Sequence, residues 1–317
     1  MAKTCLKTSI GKALPSLPVV VFRLIKATDQ DSQSLKNLAD LASKDPVLSA
    51  QILRLANSPL MNVGKPVKSM AQAALNLGVP TIRNLAVTVA VCQSFSSLKV
   101  PGNFSITDFW NHSLSCAVIA KLLAEGMEGV APEEAFLAGL LHDLGQLVMV
   151  IKRPSLFDKI VQNPRTGQTI LDSELKAWGT DHVSEGCRLL ESWHIHQAVT
   201  DAVRYHHRDV SELASSTNMV KLVHAADLFS HFMSGRSSLG LDKLKEMAQR
   251  LGVISISKDV DEIFLKAKAE MNSAARELGL RIERGEKSSL PKIGARYRTG
   301  QDMLAEMALD LSTLTGT

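Results

Sequence analysis

His142 and Asp143 stand side by side inside an otherwise apolar run, Ala135 to Ile151. Imidazole and carboxylate together suit iron, manganese, zinc, nickel or cobalt. A helix turns about 100° per residue, so neighbouring side chains diverge. An ion over the ridge between them could still take a ring nitrogen from one and an oxygen from the other. Taken alone, such a pair reads as a core histidine with a nearby partner. The rest of the chain favours the ion. In order, the candidate ligands are His112, His142, Asp143, His182, His206, His207 and Asp227. The gaps are 30 residues from His112 to His142, 40 to His182, 24 to His206 and 21 to Asp227. Each gap is about one helix plus a connection, so each ligand is expected on its own helix, apart from the two adjacent pairs. A metal held this way lowers the pKa of bound water and polarises a phosphoryl oxygen. His142 and Asp143 are the pair expected to carry chemistry. His194 and His196 read as surface residues, and His224 and His231 as either supports for Asp227 or solvated.

The elements that must position these groups are helices. A first one is expected over Val19 to Ala27. Ser34 can cap a second carrying Leu35, Leu38 and Leu41. Asp45-Pro46 opens a third, Asp as cap and Pro at the first helical position, with Val47, Leu48, Ile52 and Leu55 on one face; Asn57-Ser58-Pro59 ends it. Ser69 opens a helix that Gly78 ends, and Pro80 begins the next, to about Phe95. This corner has a helix-turn-helix outline. The second helix offers Arg83 and Asn84 but is otherwise mostly apolar, whereas a recognition helix needs a polar face. Nucleic acid is therefore not the expected partner.

Pro101-Gly102-Asn103 marks a division, giving helical parts over 1–105 and 106–235 and an extension over 236–317. Asp108 is expected to cap the His112 helix, and Pro132 to start one continuous helix holding His142 and Asp143. Asn163 to Gly167 is a loop. Ile170 to Trp178 is a helix, and Asp181 caps the one bearing His182. A helix from Ala198 carries Tyr205, His206 and His207, and one from Met219 carries His224, Asp227 and His231. Leu241–Leu251 and Val260–Leu278 are further candidates. Arg281 to Gly300, with six basic and two acidic residues, reads as a solvated linker. Gln301 to Leu314 reads as an amphipathic segment packing on the core or on a second subunit.

Composition agrees with an all-α fold. The chain has 317 residues, 45% hydrophobic but only 4% aromatic, so aliphatic side chains must fill the interior. The net charge of +4 is too small by itself to argue for nucleic acid. The four cysteines, Cys5, Cys92, Cys116 and Cys187, form no C-x-x-C pair and read as reduced, mostly buried thiols of a cytoplasmic protein. No apolar run approaches the roughly 18 residues that span a membrane, and no secretion signal is evident.

The order His112, His142-Asp143, Asp227 resembles the HD superfamily of metal-dependent phosphohydrolases. The closer resemblance is to its HDOD branch. It is carried by Leu14-Pro15-Ser16-Leu17-Pro18, Lys44 to Leu48 and Leu53 to Ser58 in the first half. Phe109 to Ser113, Leu140 to Leu147, Asp181-His182 and Tyr205-His206-His207 carry it in the second. The resemblance covers about residues 12–235. It implies a two-part helical fold and a bacterial signalling or regulatory role, with a signalling protein or a second copy as partner and a phosphate ester or nucleotide as ligand. His182, His206 and His207 match the extra histidines of the related HD-GYP phosphodiesterases, which help hold a second metal. Gln146 stands where that group has a lysine, Arg208 where it has an acid, and no Gly-Tyr-Pro triplet exists. Any hydrolysis of cyclic dinucleotides is therefore expected to be slow. The expected cofactor is a divalent transition metal, one ion or two, iron or manganese ahead of zinc, nickel and cobalt.

Overall fold

The computed structural model describes residues 16–28, 35–61, 66–96, 98, 100, 104–153, 170–237, 239–254 and 260–282. These form fifteen helices and, among the described residues, no strand. The Ser34 cap, the Pro101-Gly102-Asn103 link, the Asn163–Gly167 loop, Cys5 and most of the basic linker and final segment lie outside them.

The first five helices are α1 (Val19–Thr28), α2 (Leu35–Ala42), α3 (Pro46–Ala56), α4 (Met70–Leu77) and α5 (Val79–Ser96). Their ends follow local chemistry. Asp45 Oδ1 accepts from Val47 N and Leu48 N at 3.1 and 3.0 Å, with Pro46 at the first turn. Asn57 stops α3, and its amide then clasps Val67 through both backbone groups, at 2.7 and 2.9 Å. Ser69 caps α4, and Gly78, at φ 79°, turns the chain into α5. That positive φ favours glycine. In α5, Ile82 and residues 84–92 are all buried.

Next come α6 (Ile106–Ala124), α7 (Pro132–Leu141) and α8 (Leu144–Lys152). From Trp110 on, α6 buries every residue except Asn111. A helix apolar all round belongs inside, and α6 is the central one. It packs on α7, on α13 (Asn218–Met233) and on α15 (Val260–Leu278). Its cap is not Asp108 but Ser105, whose hydroxyl accepts from Asp108 N at 3.1 Å, so Asp108 sits in the first turn near the positive end of the helix. The expected single helix through His142 and Asp143 is also corrected: the chain breaks there, with Asp143 at φ −103° and ψ 8°.

The same stretch corrects the expectation about apolar runs. Pro132–Lys152, 21 residues, is apolar enough to cross a membrane by composition, but 83% of its 18-residue apolar window is buried in the protein. Its hydropathy is that of two core helices.

The remaining helices are α9 (Ile170–Trp178), α10 (His182–Ser192), α11 (Gln197–Tyr205), α12 (Val210–Leu213) and α14 (Leu241–Arg250). α8 lies along α10, and α11 packs on α7, α10 and α13. The first helices reach this set through α5, which packs on α7, and through α15, which touches α3, α5 and α6. One apolar core runs from Leu17 to Leu280. Cys92, Cys116 and Cys187 lie in it with free thiols.

Candidate metal centre

Five helix ends or faces bring all seven predicted ligands together. His112 comes from the middle of α6, the His142-Asp143 pair from the α7–α8 break, His182 from the start of α10, His206-His207 from the end of α11, and Asp227 from α13. His142 and His182 are fully buried, and His206, Asp227, Asp143 and His112 nearly so.

Close helix contacts set these positions. A Cβ on Gly139 of α7 would lie 2.8 Å from the Ala117 Cα of α6. The absence of a side chain there lets α7 bring His142 beside His112. A Cβ on Gly145 of α8 would lie 1.8 Å from the carbonyl oxygen of His182. At the far end of the α8–α10 contact, Lys152 Nζ meets the buried Glu185 carboxylate at 2.5 Å.

The hydrogen bonds fix the ring tautomers. His142 and His206 each follow the last residue of a helix, where carbonyls have lost their partners. Their Nδ1–H groups donate to the carbonyls of Gly139 and Val203, both at 2.7 Å. His182 Nδ1 donates to Glu174 at 2.7 Å. The Ser230 hydroxyl donates to the Asp227 carbonyl at 2.9 Å, which leaves its oxygen to accept from His112 Nδ1 at 3.0 Å. All four rings therefore turn Nε2 inward, away from the hydrogen bond at Nδ1.

These nitrogens converge in two groups. In the first, His112 Nε2 lies 3.1 Å from His142 Nε2, 3.1 Å from Asp227 Oδ1 and 3.6 Å from Asp143 Oδ2. His142 Nε2 lies 3.5 Å from Asp143 Oδ2 and 3.6 Å from Asp227 Oδ1. In the second, His182 Nε2 lies 3.0 Å from His207 Nε2 and 3.3 Å from Asp143 Oδ1, and His206 Nε2 lies 3.6 Å from that same oxygen. Asp143 thus turns one oxygen to each group.

Acceptors facing acceptors in a buried space repel unless a cation stands between them. Asp143 Oδ1, Asp227 Oδ1 and His206 Nε2 are buried without a hydrogen-bond partner. Metal–ligand bonds of about 2.0–2.2 Å place neighbouring donors roughly 2.8–3.6 Å apart in octahedral or tetrahedral arrangements. The observed spacings fall in that range, so these residues fit a divalent ion in each group.

Without an ion, and despite burial, the carboxylates help hold a proton on His142 and on His182, both raised above the ordinary imidazole value. Burial raises the Asp143 and Asp227 carboxyls, but their histidine neighbours outweigh it and hold both well below the usual range. Burial disfavours charge on His182, but Glu174 and Asp143 push its pKa up to about 10. Burial, helped by His231, pushes His112 down to about 4.

Sequence reasoning missed Glu174 and left His224 and His231 open between supports for Asp227 and solvated residues; the structure brings all three here. Glu174, buried on α9, accepts from both the ring and the backbone N–H of His182. His224 donates to the His206 carbonyl at 2.7 Å and is buried. His231 places Nε2 3.3 Å from Asp227 Oδ1; its spacing of one helical turn after Asp227 was the available signal. His194 is exposed, and His196 pairs with Glu134 at 2.7 Å, away from both groups. Arg208 stacks on Tyr205 and faces Glu212 at 3.8 Å.

The HDOD domain family profile matches residues 14–209. Asp227 lies beyond that stretch. A solved structure from Shewanella amazonensis SB2B, provisionally called a phosphohydrolase, is 26% identical, with a TM-score of 0.64 over 84% of this chain and 94% of its own. An HDOD domain protein of unknown function from Geobacter sulfurreducens is 26% identical, with a TM-score of 0.55 over 95% of this chain and 90% of its own. An uncharacterized protein of Treponema pallidum (strain Nichols) is 23% identical over 228 residues, which make up 71% of this chain and 43% of that protein. The chain thus spans less than half of that relative's length.

Proposed function

The chain belongs to the HDOD domain family, and we propose that it is a bacterial regulatory protein of that family whose His/Asp cluster holds one or two divalent transition-metal ions. The observation that carries this is the inward convergence of imidazole Nε2 atoms on two buried carboxylates without hydrogen-bond partners at Oδ1. His112, His142, Asp143 and Asp227 would hold one ion. His182, His206, His207 and the other oxygen of Asp143 would hold the second. A signalling protein or a second copy of the chain would dock on the N-terminal helices, which carry none of these ligands.

A second reading is a metal-dependent phosphohydrolase acting on a phosphate mono- or diester. It is favoured by the two-sided placement of Asp143, since paired ions suit displacement at phosphorus. Bound metal would supply Lewis acidity toward a phosphoryl oxygen and acidify water. The chain's own residues would fix the ring tautomers and keep both carboxylates charged. The name of the Shewanella structure also supports it. Gln146 and the outward-facing Arg208 count against a cyclic dinucleotide substrate.

Elemental analysis of the untagged protein, with the same sample assayed on phosphate mono- and diesters, tests both. Metal without turnover supports the regulatory reading, and metal with turnover the hydrolase. Protein that stays metal-free after loading sinks both.

A further inference from the structure

Resting on the metal-site reading above, we infer that His231 is a further donor to the ion of the His112 group, on its solvent side. His231 and Asp227 lie four residues apart on α13, so their side chains share one face of that helix. His231 Nε2 lies 3.3 Å from Asp227 Oδ1. That is within the 3.1 to 3.6 Å spacing separating Asp227 Oδ1 from the other two imidazoles of the group. The His231 ring lies against the His112 ring, centroids 4.5 Å apart and planes 31° apart, so the two imidazoles approach the same oxygen from neighbouring positions. The ligand atoms of His112, Asp227 and His231 all lie within 4.8 Å of one another.

What distinguishes His231 is access. Its side chain is 19% exposed, against 8% for His112 and 1% for His142. It is the donor an ion meets on entering this group from solvent. It is also the one a substrate oxygen could displace without opening the core. The rival role is an imidazole outside the coordination sphere that only hydrogen-bonds Asp227 Oδ1.

The full chain labelled with 15N-histidine and loaded with 113Cd²⁺ alone separates these roles. One-bond coupling between cadmium and nitrogen marks every coordinated ring. We expect split Nε2 resonances for His112, His142 and His231, with the His231 signal assigned by its loss in His231→Gln. That variant should also bind the ion of this group at least tenfold more weakly in chelator competition. Splitting at His112 and His142 without splitting at His231 overturns the inference and leaves the metal site intact. Absence of any cadmium uptake removes the metal-site reading, and this inference with it.

Discussion

Glu174 Oε2 accepts two hydrogen bonds from one residue, His182: from its ring Nδ1 at 2.7 Å and from its backbone N–H at 2.9 Å. The carboxylate thereby sets the ring's tautomer and anchors the first residue of α10 at once. Glu174→Ala is expected to weaken binding of the ion in the His182 group by about 10–100-fold while leaving the His112 group's ion in place. Chelator competition followed metal by metal checks this. Equal loss of both ions would show that Glu174 supports the whole fold and not one group.

Two histidines give opposite pH signs in the metal-free protein. His112 falls from the ordinary 6.5 to about 4 because it is buried and lies near His231. Its contribution to stability is full above pH 6.5 and is lost as pH falls from 6.5 toward 4. His182 rises to about 10, Glu174 and Asp143 outweighing burial. Its contribution is full below pH 6.5 and is lost as pH rises through 10. Urea midpoints of the metal-free protein should therefore decline on both sides of about pH 6.5. His112→Gln should flatten the acid limb. An acid limb of unchanged slope in that variant would contradict the assignment.

Metal uptake should release protons, because the ion takes the place of the proton held by His182. Calorimetry in buffers of different ionisation heats reads the number released. The count should shrink in Glu174→Ala, whose His182 has lost its strongest charge partner. A count that is zero and independent of buffer would mean the ion binds elsewhere.

Gly145 permits no side chain against the His182 carbonyl, since an added Cβ would lie 1.8 Å from that oxygen. Gly145→Ala must push α8 from α10. The expected cost is at least the roughly 1–3 kcal/mol of an overpacked core, read as a lower urea midpoint, together with weakened metal retention because Asp143 moves with α8. A variant of unchanged stability would show that the two helices have slack at this contact.

Asp45→Ala removes two cap hydrogen bonds to the start of α3. Stability should fall by about 1 kcal/mol with metal content unchanged. If the metal were lost while the fold survived, the N-terminal helices would contribute to the site.

The helix starts that could be read from sequence are those with a local chemical cause. Asp45, Ser69 and Asp181 each cap the helix that follows. Ile170–Trp178 likewise matches its predicted span. The α7–α8 break was hidden because the sequence around it, Leu140 to Leu147, has no proline and its glycine falls after the turn; nothing in its hydrophobic pattern interrupts a helix. Ser105-Ile106-Thr107-Asp108 has capping-box spacing, which points to Ser105 rather than Asp108 as the cap. All seven candidate ligands were legible as types at helical intervals. Glu174 was not, because an acidic residue in an amphipathic helix gives no sign that it will be buried against a histidine eight positions on.

The anchoring of the four inward-facing imidazoles has an evolutionary consequence. His142 and His206 donate to main-chain carbonyls three residues back, acceptors that no point substitution can delete. His112 and His182 instead depend on side chains, Ser230 and Glu174. Sequence drift therefore acts unevenly on this centre. A lineage can lose the orientation of His182 by one change at Glu174, or that of His112 by one at Ser230, while His142 and His206 stay correctly turned as long as their helices end where they do. Descendants of such a protein could loosen either ion through substitutions at Ser230 or Glu174 that leave every ligand in place.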